Sequence, residues 1–495
     1  MSVNQPFPSF ELRDLPMAVF DAFLGHVPNW YKVTVLGFLV VNPLVLLSHG
    51  PFVLGWLVLL QFVFMLALAL RCYPLAPGGL LAIEALALGL TSPTTVYAEV
   101  QHGLPVLLLV IFMVASVHFL RDFLFMVLTR VLLGIDGRVT RAFSICVAVA
   151  VLSSFLDALT VLAVLITVGV GFHEAYQRAA SHESHDRGEL AEFRAFMRGM
   201  MMHAAVGTAI GGVCTLVGEP ENIVIGSVAG WSFMEFFWKV APISIPTLVV
   251  GLGTCLLVER LRWFGYGAEL SAGVRQVLAR HDAELRAQWA MRDRVRVAAQ
   301  GVACLLLVVA LAFHVAEVGL IGLALLAIGT AVNGVTDEHR LAKAFEAGMP
   351  FAALLVVFFA IVAVIHDQHL FQPVIGSVLA IDGNDQLAMI YLSNGLLSAV
   401  SDNVFVATIY VSQVHDALEA GLISRELFEA QAVAIVMGTG IPAMATPNGQ
   451  AAFLFLLTSG LAHHIRLSYG RMVWMALPYT VTTSIAALVS IHLFL

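Results

Sequence analysis

SSFLDALTV, residues 153–161, returns as SAVSDNVFV at residues 398–406. Each copy lies in a long apolar run and carries one aspartate, Asp157 or Asp402, with a serine four residues earlier, Ser153 or Ser398. A second matched pair follows downstream. GTAIGGVCT (207–215) and GTGIPAMAT (438–446) share glycine, threonine, isoleucine and threonine at four of nine positions. Serine–aspartate and then glycine–threonine therefore occur twice, once in each half. An internal repeat of this kind in an apolar chain points to a secondary transporter with its site at the repeat interface.

Composition places the chain in a membrane independently. Its 495 residues are 60% hydrophobic and 12% charged, with a mean hydropathy of +0.91; soluble domains carry about twice that charged share. Runs such as 52–70, 104–120 and 472–495 approach or exceed the roughly 20 apolar residues that cross a bilayer. The five cysteines lie in apolar runs without metal-type spacing and read as small core residues. The N-terminus, MSVNQPFPSFELRDLP, has no basic flank followed by an apolar core, so no cleaved signal peptide is expected. The HESH fragment at 182–185 has no evident third ligand and reads as a surface histidine pair. His118 and His203 read as buried, hydrogen-bonded histidines.

Charge sets the topology. A polar segment, 1–32, precedes spans at 33–49, 52–70, 79–92 and 104–120, with 122–134 lying along the interface or joining a neighbour. The apolar run 142–172 exceeds one ordinary helix, yet Arg138 and Arg141 precede it and Arg178 and Arg187 follow. The positive-inside rule puts both ends in the cytoplasm, so the run reads as a re-entrant hairpin with Asp157 near its tip. The segment 199–230 is a broken helix, interrupted by Gly211, Gly212, Gly218 and Pro220. A span at 240–258 leads to the linker 259–298, which holds eight arginines against five acids and is cytoplasmic. Further spans fall at 299–314, 318–334 and 350–365. Residues 344–424 contain no lysine or arginine, so the second hairpin, 386–412, has both flanks outside. A second broken helix, 431–460, is cut by Pro442 and Pro447, and 472–495 is the last span. The fold class expected is an all-α polytopic membrane protein with an inverted-topology repeat. Its domains are 1–32, a first half 33–258, the linker 259–298 and a second half 299–495.

An ionised carboxylate at the bilayer centre costs about 3 kcal/mol, and neither hairpin contains a basic residue. Asp157 and Asp402 are therefore expected to hold a cation and a proton in alternation. Sodium is a hard ion that takes oxygen ligands, and Ser153, Thr160, Asn222, Ser398, Asn403, Thr446 and Asn448 supply them within the four special segments. Glu219 and Glu221 flank Pro220; they either coordinate or relay protons, or face water beside the break. No cofactor and no nucleic-acid partner are expected.

SSFLDALT (153–160), LVGEPENIVIG (216–226), LSAVSDNVFVATIY (397–410) and GTGIPAMATPNGQAAF (438–453) resemble the signature stretches of the bacterial NhaB sodium/proton antiporters. The resemblance extends over nearly the whole chain. It implies membership of the ion transporter superfamily, which also holds dicarboxylate/sodium symporters and arsenite pumps. It also implies an inner-membrane homodimer with a scaffold and a mobile transport part, exporting Na+ and Li+ against H+; the two titratable aspartates allow more protons than sodium ions per cycle, so electrogenic exchange is expected. The dicarboxylate branch has a serine–asparagine–threonine signature at its tips. Here the tips carry Ser153-Ser154 with Asp157, and Ser401-Asp402-Asn403, which favours cation/proton exchange. The alternative is a sodium-coupled carboxylate symporter, which needs anion donors at the tips. An intramembrane enzyme lacks an HExxH or GxSxG motif to carry it, and opposed hairpins suit alternating access better than a channel.

Overall fold

The computed structural model describes residues 15–180, 187–346, 348–371, 373, 381 and 384–495; the first 14 residues and the HESH fragment lie outside them. Among the described residues every regular element is helical, as lipid requires of a chain that is not a closed barrel. Eight of these helices are long and apolar enough to cross a membrane.

The first of these is two spans. Asn29–Ala67 has 39 residues, which as a straight rod would run about 58 Å, nearly twice the bilayer core. Gly50 breaks it, with φ 83° and ψ 176°, just before Pro51. Across the bend Asn42 and Gln61 exchange side-chain hydrogen bonds of 3.0 and 2.7 Å, and the Tyr31 and Phe64 rings stack at 6.2 Å. Straight helix would hold Asn42 and Gln61 about 28 Å apart. The element is a helical hairpin with its tip at Gly50, in agreement with spans at 33–49 and 52–70. One segment is shorter than expected, and one open alternative is decided. The segment expected at 79–92 is a 13-residue helix, Leu75–Ala87, too short to cross alone. Residues 104–120 and 122–134 form one run, Leu104–Gly134, carried past Arg121 by a π turn at Leu109–Met113 and a 3-10 turn at His118–Leu120.

Eight helices carry the repeat. In the first half they are Arg138–Ser153 (α1), Ala158–Ala180 (α2), Arg187–Gly212 (α3) and Pro220–Ala229 (α4). In the second they are Asn384–Ser398 (α5), Asn403–Glu419 (α6), Arg425–Gly440 (α7) and Ala451–Thr458 (α8), with a 3-10 turn, Pro442–Ala445, before α8. Each half packs its first helix on its third, α1 on α3 and α5 on α7. The fourth helices cross over: α4 packs on α6 and α7, and α8 packs on α2 and α3. The helix after each, Phe233–Leu261 or Tyr469–Phe494, packs on its counterpart. Each half thus gives the second part of its broken helix to the other.

Equivalent atoms make equivalent contacts. A Cβ on Gly207 would lie 2.8 Å from the Cys146 carbonyl oxygen, and one on Gly438 would lie 2.9 Å from that of Tyr391. Gly211 packs so tightly on Ala150 that a Cβ would sit 2.2 Å from its carbonyl oxygen. At the matching place in the second half the small residue changes sides, and Gly395 packs on Pro442. The two halves keep one close α1–α3 or α5–α7 crossing by opposite allocations of glycine.

Candidate functional site

Asp157 and Asp402 both stand where a helix begins. The Asp157 carboxylate accepts hydrogen bonds from the Thr160 backbone N–H (3.2 Å) and hydroxyl (3.4 Å) at the start of α2. Asp402 is the N-cap of α6 and accepts from the N–H groups of Val404 (2.9 Å) and Phe405 (3.2 Å). Aspartate is among the best N-caps, and the positive end of a helix offsets part of the cost of a buried carboxylate. The local partner of each acid is therefore a helix terminus. Both tips are stapled alike: the Thr215 hydroxyl donates to the Ser154 carbonyl, and its repeat equivalent, Thr446, donates to the Ala399 carbonyl at 2.6 Å.

The two broken helices bring two further acids to the tips. Glu219 and Glu221, at the start of α4, are both almost wholly buried. Glu219 lies within electrostatic reach of Glu221 and Asp157, and Glu221 within reach of Asp402 and Asp157. Asn403 donates to Glu221 Oε1 at 2.7 Å, which joins the second tip to the first broken helix. Gln450, the repeat counterpart of Glu219, donates to Glu219 Oε1 at 3.5 Å. Among the described residues no lysine or arginine pairs with any of the four acids.

The residues singled out from sequence thus separate into groups. Asp157, Thr160, Glu219, Asp402 and Asn403 come together through these contacts. Asn222 is fully buried, and its amide nitrogen ties α4 to the carbonyls of Gly212 (2.9 Å) and Thr215 (2.8 Å). Asn448 is drawn toward the Gly50 hairpin, donating to the Ala67 carbonyl at 2.6 Å. Ser398 points back along its own helix to Asn394 at 3.5 Å. Sequence reading left both Glu219 and Glu221 open, named Ser401 only as part of the second tip, and passed over Gln450 and Thr215 as site residues. The repeat offset that aligns Gly207 with Gly438 places Gln450 opposite Glu219 and Thr215 opposite Thr446, so that signal was present. Buried oxygens in these segments remain without a hydrogen-bond partner among the described residues: Ser153 Oγ, Asn222 Oδ1, Ser401 Oγ, Asn448 Oδ1 and Gln450 Oε1. Buried polar atoms are nearly always partnered, so these oxygens are open to water or another ligand.

A cavity of about 750 Å³ leads to the first tip. Asp157, Thr160 and Pro220 line it together with Arg286, Trp289 and Arg296 of the linker region, whereas Asp402 does not reach it. His203 lies elsewhere and is buried, bonded to Tyr479 Oη (2.7 Å) and Glu259 Oε1 (2.9 Å). His118 is half-buried and borders the cavity.

The chain is similar to the Na(+)/H(+) antiporter NhaB of Pseudomonas entomophila (strain L48), 55% identical over 484 residues, which is 95% of this chain and 97% of the relative. It is 56% identical to the protein of that name from Pseudomonas fluorescens (strain Pf0-1), covering 93% of this chain and 95% of the relative. With that of Pseudomonas aeruginosa (strain LESB58) it shares 55% identity over 94% of this chain and 96% of the relative. A model of the family described as bacterial Na+/H+ antiporter B (NhaB) matches residues 14–495, and the chain belongs to that family.

Proposed function

We infer that this chain is a multi-pass antiporter of the bacterial inner membrane that exchanges Na+, and Li+, for H+, expelling the cation with the energy of the proton gradient. The observation that carries the reading is the group of four acids from both halves, with no basic partner among the described residues. Four charges of one sign in a low-dielectric interior repel strongly, and either protons or a bound cation relieve that repulsion. The two ligands then compete for the same oxygens, which is the requirement for obligatory exchange.

The inner end of the cycle follows from the cavity. Its linker rim is arginine-rich and therefore cytoplasmic, so Asp157 is the acid reached first from inside. Cytoplasmic Na+ entering there meets the Asp157 carboxylate and the Thr160 hydroxyl. Ser153, Asn222 and the carbonyls at the helix breaks complete an oxygen shell, and the displaced proton leaves by the same path. Glu219 and Glu221 link the first tip to Asp402 and Asn403 at the second, which faces the outer leaflet in the inverted-repeat reading. In that reading the two tips are re-entrant hairpins, and the crossed helices move as one body against a scaffold of the remaining spans. More than one titratable acid allows more protons than Na+ per turn, which makes exchange sensitive to voltage. The homodimer rests on the family resemblance. A carboxylate symporter would need cationic donors at the tips, and the described residues place none there.

The test is Na+-driven proton movement in proteoliposomes. Adding Na+ to wild type is expected to move protons across the membrane. Na+-dependent uptake of a dicarboxylate without proton movement would replace this reading with the symporter.

A further inference from the structure

Beside the Asp157 cavity lies a smaller one of about 420 Å³. The two share His118, Arg121, Asp122 and Arg296, and the smaller adds Arg340 and Lys343. Its floor is already satisfied. Gln300 accepts from the Phe123 N–H (2.9 Å) and donates to Asn333 (2.8 Å), and Asn333 donates to the carbonyls of Phe119 (3.1 Å) and Gly329 (2.7 Å). What remains for a ligand is charge. Four cations, Arg121, Arg296, Arg340 and Lys343, against Asp122 of the lining and Asp293, which also pairs with Arg296, leave a formal +2. Arg296 is held by Asp122 and Asp293, each at 3.2 Å. Arg121, Arg340 and Lys343 make no ion pair among the described residues.

The setting of these cations is specific. The short helix Glu338–Phe345 begins at an Asp337 cap that accepts from the Arg340 N–H at 2.9 Å. Its apolar side, Leu341, Ala344 and Phe345, packs on Ala115, Phe119 and Leu326. Arg340 and Lys343, three residues apart, share a helix face and line the cavity wall. The apolar helix Val318–Asn333 ends at Gly334 beside this cavity. The cations thus sit at the end of an apolar helix, on the side that the arginine-rich linker marks as cytoplasmic in the proposed topology. A basic pocket at that level attracts anionic headgroups, and guanidinium forks suit phosphate oxygens.

We propose that this pocket binds a phosphate-bearing anion, such as the headgroup of an anionic phospholipid of the inner leaflet. Because the pocket shares four residues with the cavity leading to Asp157, the bound anion also offsets positive charge at the entrance and raises the local cation concentration. That second consequence rests on the exchange reading; binding itself does not.

The experiment therefore reads binding first. The melting temperature of the purified full chain in neutral detergent is measured with phosphatidylglycerol, with phosphatidylcholine and with inorganic phosphate at matched ionic strength. The same series is run on Arg340→Gln/Lys343→Gln, and on Lys343→Gln alone in case the double variant folds poorly. Phosphatidylglycerol is expected to raise the wild-type midpoint by a few degrees through preferential binding to the folded state, phosphatidylcholine to leave it unchanged, and the variants to lose most of the rise. Inorganic phosphate reproducing the rise would support the site with a soluble anion as its source. An equal rise in wild type and both variants, or no wild-type response to phosphatidylglycerol or phosphate, would overturn the proposal. In pure phosphatidylcholine the double variant, which lacks two positive charges beside the entrance, should exchange Na+ for H+ with an apparent Na+ affinity equal to or above that of wild type. With phosphatidylglycerol added, only wild type should gain severalfold in apparent Na+ affinity.

Discussion

At the scale of single residues, Asp157 and Asp402 each combine two tasks that substitution can separate. Each carboxylate caps a helix by accepting backbone N–H groups, and each belongs to the acid group proposed to exchange ions. Asparagine caps a helix about as well as aspartate, so Asp157→Asn and Asp402→Asn should keep stability within about 0.5 kcal/mol while abolishing Na+-driven proton flux. Asp402→Ala should lose the flux and about 1 kcal/mol of stability as well. Thermal melts beside proteoliposome flux make the comparison, and an active, stable Asn variant at either position would assign that acid to capping alone. Asn403 gives a second case. Glu221→Gln keeps an oxygen to accept from Asn403, so it should fold normally and lose exchange. Asn403→Leu leaves a buried carboxylate without its donor and should destabilise by about 1–3 kcal/mol; equal melting of the two variants would contradict the contact.

At the scale of elements, the paired breaks and staples carry the architecture. Thr215→Val and Thr446→Val each remove one hydrogen bond from a threonine to a tip carbonyl and should cost about 1 kcal/mol apiece in denaturation. Gly211→Ala forces a Cβ against a main-chain oxygen that cannot move aside, and should cost about 2 kcal/mol or more. A neutral Gly211→Ala would contradict the close α1–α3 crossing. Much at this level was legible in the sequence. Proline and glycine announce helix breaks locally, so both broken helices and the turn at Gly50 could be placed from residue types, and both tips from the repeated serine–aspartate pattern and the charge of its flanks. The pairing of Asn403 with Glu221 and of Gln450 with Glu219 could not be placed in that way, because it joins positions 182 and 231 residues apart through a crossing of halves that no local pattern encodes. The capping of Asp157 and Asp402 is consistent with aspartate's preference for helix starts, a preference that each tip shows in the sequence. Arg121 leaves two readings open for 122–134, along the interface or joined to a neighbouring span, and the structure takes the second, with the helix passing through the charge.

At the scale of the whole molecule, the topology proposed from the charges puts the Asp157 cavity in contact with the cytoplasm. Ala163 lines that cavity. In a background without the native cysteines, Ala163→Cys should react with a membrane-impermeant maleimide supplied from the cytoplasmic side, and much more slowly from the other. The reverse preference would invert the topology derived from the charges. The central claim is that Na+ and H+ compete for one carboxylate group built by both halves. It is tested most directly by counting the protons released when Na+ is added to the purified protein in weakly buffered detergent. The account predicts release in wild type and its loss in Asp157→Asn, with apparent Na+ affinity falling about tenfold per unit drop in pH for each proton exchanged. Na+ binding without proton release, or release unchanged in that variant, would contradict it.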